Sequence, residues 1–313
     1  MRQTYGAEAY QSLYDIDIGE VEYRDAMATK GVKAYRRKEI TAGAVKDIEL
    51  CAVWNTRSEA GRARAALRGQ SAETIERRNQ RNAEKTVERI VNANFKTGDI
   101  ALYLTMAREA TADELKKAIV WYIREIRRTI RRAGIIDADF KYLYIIEQAD
   151  RDGHAIRPHI HIFVTGLLGR DWLEEKWRAR YGIANATRLV PDEDGLSGFA
   201  RYIQKAKRDV RRQRRWACSR NCVRPQPTRS TRLPGGKVLT KKLIADIASG
   251  RKDVRAIFEK AYPGWMFVGM RVKRSEWAAG IYVEIRMRRW SADERPVYAA
   301  KISTSCARKN GDS

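Results

Sequence analysis

The chain has 313 residues, 43% of them apolar, enough for one large domain or two ordinary ones with a real core. Its 63 Lys and Arg against 39 Asp and Glu give a formal charge of +24, far more than solubility requires, which points to a polyanionic partner, nucleic acid ahead of an anionic membrane surface. There is no run of eighteen apolar residues and no charged-then-apolar start, so the composition argues against a membrane span or a secretory leader, and a cytoplasmic protein is expected.

Residues 1 to about 70 carry a mixed signal, with a strand pair expected around "DIDIGEVEYRDA" and a loop at "TRSEAGRARAALRGQS". From Ser71 the pattern sharpens. "SAETIERRNQRNAEKTVERIVNANF" opens with Ser71 ahead of Glu73 and Thr74 and repeats apolar residues at Ile75, Ala83, Val87, Ile90 and Val91, which predicts a basic amphipathic helix. Gly98 and Asp99 turn the chain into "IALYLTMA", an alternating strand. The next segment, "TADELKKAIVWYIREIRRTIRRAG", places Leu115, Ile119, Tyr122, Ile123, Ile126 and Ile130 on one helical stripe, with Thr111 as its start and Gly134 as its stop. "FKYLYIIEQ", "ADRDGHAIRP" and "HIHIFVTG" then read as strand, polar turn and strand of an antiparallel hairpin. A helix ("DWLEEKWRARYG"), a short strand ("ATRLVP") and a further helix ("GLSGFARYIQKAKRDVRRQRRW") follow.

That order suits an α+β fold of ferredoxin-like, split βαβ type, with a central antiparallel sheet and helices on one face. After Trp216, "SRNCVRPQPTRSTRLPGGK" holds three of the seven prolines and reads as a basic linker. The tail offers a helix, "TKKLIADIAS", and two strands, "WMFVGMRVKR" and "GIYVEIRMRRW". The expected organisation is an N-terminal extension over 1–70, the sheet domain over 71–216, the linker over 217–237 and an α/β tail over 238–313.

Four cysteines, Cys51, Cys218, Cys222 and Cys306, are scattered, and the one close pair lacks a second Cys/His pair at zinc-finger distance, so all four read as reduced thiols. The three histidines, by contrast, cluster at 154, 159 and 161. In a strand, residues i and i+2 face the same way with Cα atoms roughly 6.5 Å apart, so His159 and His161 can aim at one ion. Two ligands hold a divalent metal weakly, and the hairpin partner offers a third in Glu147, preferred for its charge and hard oxygen, with Gln148 as the other choice. A solvated pair on a sheet face is the plainer reading, which the clustering disfavours.

On the helix some forty residues later, Tyr202 and Lys205 are one turn apart and share a face. A tyrosine hydroxyl can attack a phosphodiester, but with a pKa of about 10 it needs a metal or an ammonium beside it. Lys205 is placed to supply the ammonium. Ten Lys or Arg lie between Arg201 and Arg224 against Asp209 alone, including Arg201, Lys207, Arg208, Arg211, Arg212, Arg214, Arg215 and Arg220. Such a run reads as a track for a nucleic-acid backbone.

At "PHIHIF", "YIQK" and the preceding "NFKTGDIALYLTMA" the sequence resembles the HUH endonucleases that start rolling-circle replication, in particular initiators of filamentous-phage type. Further echoes are "RRWACSRNCVRP" and "YPGWMFVG", and the resemblance covers about residues 71 to 290. It implies that His159 and His161 bind a metal, Mg2+ or Mn2+, that Tyr202 is the nucleophile and that Lys205 assists it; Glu147 fits the third, acidic ligand by position. The implied reaction nicks single-stranded origin DNA, leaving a 5′-phosphotyrosine and a 3′-OH primer. Two departures stand out: the first strand ends in Met106 and Ala107 where an aromatic is usual, and Lys205, Ala206 and Lys207 stand where a second tyrosine would be. No phosphate-binding G-x4-G-K-[ST] occurs, so a helicase, like the polymerase, would come from the host. Relaxase or transposase strand transfer, and a non-catalytic nucleic-acid-binding module, are the competing classes.

Overall fold

The computed structural model describes residues 16–17, 32–54, 72–149, 154–192, 194–202, 216–274 and 280–290. In chain order the elements are β1 (Ile16–Asp17), β2 (Val32–Ala42), β3 (Val45–Trp54), α1 (Ala72–Asn94), β4 (Ile100–Leu104), α2 (Ala112–Arg132), β5 (Tyr142–Ala149), β6 (Ala155–Val164), α3 (Arg170–Arg178), β7 (Ala184–Arg188), α4 (Ser197–Tyr202), β8 (Trp216–Cys218), β9 (Thr228–Ser230), α5 (Lys241–Ala248), α6 (Val254–Ala261), β10 (Trp265–Arg274) and β11 (Ile281–Arg289). The protein is α+β, built on two antiparallel sheets. No described helix is long and apolar enough to cross a membrane.

The chain divides into two compact units, one of residues 1–40, 45–71 and 227–313, the other of 41–44 and 72–226. The first holds a six-stranded sheet in the order β1-β10-β11-β3-β2-β9. Alternation decides its faces. Ile48 and Leu50 of β3 join Ile281, Val283, Ile285 and Met287 of β11 in a core closed by Leu243, Ile244 and Ile247 of α5 and Phe258 of α6. The opposite positions carry charge in complementary pairs: Asp47 lies directly across from Arg286 and bonds it at 2.9 Å, and Lys38 meets Glu49 at 3.0 Å. The N-terminal extension and the tail, expected as separate pieces, thus supply strands to one sheet.

The second unit holds β7-β4-β6-β5-β8. Numbered along the chain, its first four strands run 4-1-3-2, the ferredoxin-like order, with β8 added at the β5 edge. The capping box at the start of α2 is formed, with the Thr111 hydroxyl accepting from the Glu114 N–H, and Gly134 ends the helix at φ +70°. Leu115, Ile119, Tyr122, Ile123, Ile126 and Ile130 are all buried, against Leu102, Leu104, Ile160 and Ile162 of the sheet and Leu173 and Trp177 of α3.

Two expectations are corrected here. Helices cover both faces of this sheet, not one: α2 and α3 pack on one side, while Val87, Ile90 and Val91 of α1 and Ala200 of α4 pack on the other against Leu143, Ile145 and Phe163. The reason lies in β5 and β6, whose apolar residues occupy alternate and intervening positions alike, so that each face needs a cover. Nor is 217–237 a loose linker. Cys218 pairs with Leu143 in β8, β9 pairs with β2, and Cys222 and Leu233 are buried, one in each unit.

Candidate metal centre

The β5–β6 hairpin sets the centre. Glu147 lies directly across from His159, and Ile145 across from His161, so both histidines and the carboxylate project from the sheet face covered by α1 and α4. The register shifts immediately after Glu147, and Gln148 does not join the cluster. One ligand atom from each of Glu147, His159 and His161 lies within 4.8 Å of the others. Glu147 Oε2 is 3.1 Å from His159 Nε2 and 3.5 Å from His161 Nε2. Donors about 2.1 Å from one cation stand roughly 3.0 to 3.4 Å apart, so the spacing fits a shared ion.

Two details strengthen the fit. Glu147 Oε1 is buried without a hydrogen-bond partner among the described residues, which is costly for a carboxylate oxygen unless a cation completes it. His159 Nδ1 sits 3.0 Å from the Arg157 carbonyl. A carbonyl only accepts, so Nδ1 carries the proton and Nε2 is the nitrogen aimed at Glu147. Burial pushes the Glu147 carboxyl up, but hydrogen bonds from His159 and His161 outweigh it and hold the pKa below its usual value. Burial also disfavours the His159 cation, yet Glu147 and the Arg157 carbonyl leave its pKa raised. His154, the third histidine, is exposed just before β6 and is not in the cluster.

Three neighbours went unnoticed in the sequence. Tyr103 of β4 lies across from His161, with its ring centroid 4.8 Å from that of His159 and 5.3 Å from that of His161. Trp216 of β8 lies directly across from Ile145 of β5, which puts it on the same face. Arg157 donates to the carbonyls of Met106 and Ala107, tying the end of β4 to β6. The two residues that depart from the usual aromatic therefore serve through their backbone, and Met106 is itself buried in the core.

Helix α4, described as far as Tyr202, lies on the histidine face: Leu196 and Ala200 are buried with Leu143, Ile145 and Phe163, and Phe199 packs against them. Asn92 of α1 fixes its start, accepting from the Leu196 N–H at 2.8 Å and donating to the Ser197 hydroxyl at 3.1 Å. Asn94 holds the returning chain by exchanging two hydrogen bonds of 2.8 Å with the Val223 backbone. Lys205, Lys207, Arg208, Arg211, Arg212, Arg214 and Arg215 lie outside the described residues, as do the side chains of Arg201 and Tyr202. Arg220 is exposed in the turn after β8. Cys51, Cys218 and Cys222 are free thiols.

No protein-family model matches the chain, and no match was found among curated proteins or solved structures.

Proposed function

We propose that the protein is a cytoplasmic replication initiator that nicks single-stranded origin DNA through Tyr202. The observation that carries this reading is that α4, which holds Tyr202, packs on the sheet face from which Glu147, His159 and His161 converge. A divalent cation held by these three, Mg2+ or Mn2+, would supply a Lewis acid for the scissile phosphate. Tyr202 Oη gives up its proton to solvent and forms the new bond to phosphorus, the bond to the 3′ oxygen breaks, and that oxygen takes a proton from solvent and leaves as a 3′-OH. The ester keeps the energy of the broken bond, so nicking needs no nucleotide cofactor. Lys205 favours the phenolate, and Tyr103 and Trp216 flank the site as surfaces for unpaired bases. Unwinding and synthesis fall to a host helicase and polymerase.

The test incubates the full chain with a single-stranded DNA library and Mn2+, then maps any protein–DNA adduct by mass spectrometry after nuclease trimming. Tyr202→Phe should abolish the adduct and keep binding. His159→Ala with His161→Ala should abolish cleavage and keep binding. An adduct on another tyrosine, or undiminished cleavage by the double variant, overturns the reading.

A further inference from the structure

The opposite face of the five-stranded sheet carries a feature that nicking does not use. On the outer side of α2, Lys117, Arg124, Arg128 and Arg131 are exposed at intervals of seven, four and three residues, which places them on one stripe. At 1.5 Å per residue the stripe is about 21 Å long. Lys117 and Arg124 make no ion pair among the described residues. Arg128 bonds Glu125 and Arg131 approaches Asp137 at 3.4 Å, yet their side chains remain 60% and 63% exposed. Past the first turn the helix has a single carboxylate, Glu125, and Lys176 of α3 also contacts it, at 3.0 Å. The ridge is therefore a row of solvent-facing cations on a rigid helix.

We propose that this ridge binds the phosphate backbone of double-stranded DNA without reading its sequence. Charge complementarity selects a polyanion, and the aromatic residues select the duplex. Trp121, beside the stripe, has Arg180 over its ring at 4.5 Å and Tyr181 edge-on at 5.4 Å. Arg180 covers that ring and Tyr181 adjoins it, so among the described residues the ridge offers no open ring on which unpaired bases could stack, and stacking is what holds a single strand. A duplex hides its bases and presents one charge per roughly 1.7 Å of axis, about a dozen phosphates along the ridge. The metal centre and the ridge lie on opposite faces of one sheet, so single-stranded and double-stranded DNA have separate surfaces.

The test compares the full chain with a variant carrying Lys117→Gln, Arg124→Gln, Arg128→Gln and Arg131→Gln, which keeps good helix formers at each position. Binding to a random-sequence duplex and to a single strand of equal length is followed by fluorescence anisotropy over a salt series. The slope of log K against log[salt] for the duplex should flatten by about 0.9 for each phosphate the variant no longer neutralises, roughly 2 to 4 in all, and that for the single strand should hold. A companion variant with the Arg and Lys residues exchanged should keep the wild-type slope. An unchanged duplex slope, an equal change with the single strand, or the same loss in the charge-conserving variant overturns the inference. Duplex binding needs neither metal nor Tyr202, so failure of the nicking reading leaves this result unaffected.

Discussion

Tyr103 and His161 face each other across the β4–β6 ladder, and the tyrosine ring also reaches His159, so one partly exposed side chain rests against both imidazoles. The ring limits how far either imidazole can turn away from Glu147. Aromatic pairs of this kind contribute about 0.5–1.5 kcal/mol each, and loss of a group that orients a metal ligand commonly lowers affinity roughly 10- to 100-fold. Tyr103→Ala should weaken Mn2+ binding by about that factor, and Tyr103→Phe should leave it within about threefold, as read by calorimetric titration. Equal affinities for wild type and Tyr103→Ala would remove the tyrosine from the site.

The pKa shifts of the triad set a pH window for the metal-free protein. His159 has a folded pKa raised above 6.5, so its contribution is complete below that value and is lost as pH rises through the folded pKa. Glu147 has a folded pKa lowered from 4.5, so its contribution is present above that value and is lost as pH falls through the folded pKa. In chelator, the stability difference between wild type and Glu147→Gln should peak between about pH 4.5 and 6.5 and shrink on both sides. Metal affinity should rise with pH as His159 gives up its proton. Thermal melts of both proteins across this range, with and without Mn2+, provide the check.

Asn92 joins α1 to the start of α4 from a buried position. Asn92→Leu leaves the Leu196 N–H and the Ser197 hydroxyl without that partner, at a cost of about 1–3 kcal/mol. Adduct formation should fall with it even where the protein remains folded, because α4 carries Tyr202. Urea denaturation measures the first effect and adduct yield at low temperature the second. A large stability loss with full adduct yield would show that the anchor does not position the tyrosine.

The basic run beyond Tyr202 should engage the backbone of the single strand. Neutralising Arg211, Arg212, Arg214 and Arg215 together should flatten the single-strand salt slope by about 0.7 for each phosphate left without its cation. An unchanged slope in a salt titration would mean that this run does not touch DNA.

Much of the centre was legible because it is local. The β5–β6 hairpin joins neighbours in sequence, so strand parity placed His159 and His161 on one face and ligand chemistry favoured Glu147 over Gln148 beside them, and the α2 stripe with its caps followed from spacing. Helix α6 was not among the expected elements: Asp253 accepts from the Ala256 N–H and Val254, Ile257, Phe258 and Ala261 fall at helical intervals, but only eight residues carry the pattern. What could not be read depends on pairings between distant segments. Tyr103 meets His161 across 58 positions of sequence. The strand β3 lies in the stretch whose signal was mixed, and nothing near it in sequence announces that β11 lies beside it. Amphipathic patterns say that a helix has a buried side without saying which sheet face receives it, which is why all the helices were expected on one face when they divide between two.

The six-stranded sheet draws β1 to β3 from before the unit of the five-stranded sheet and β9 to β11 from after it. Synthesis therefore separates its halves in time. At about 5–20 residues per second, the ribosome delivers β11 roughly 10 to 45 seconds after β3. For that time β3 carries Ile48 and Leu50 without their cover and an edge without its partner, the kind of edge that recruits other chains. Apart from 41–44, which are made earlier, the second unit is the continuous stretch 72–226 and can fold meanwhile. A chain cut short before β10 would therefore keep its histidines and carboxylate assembled and still be lost to aggregation, so a late stop codon should appear as poor yield before it appears as lost chemistry.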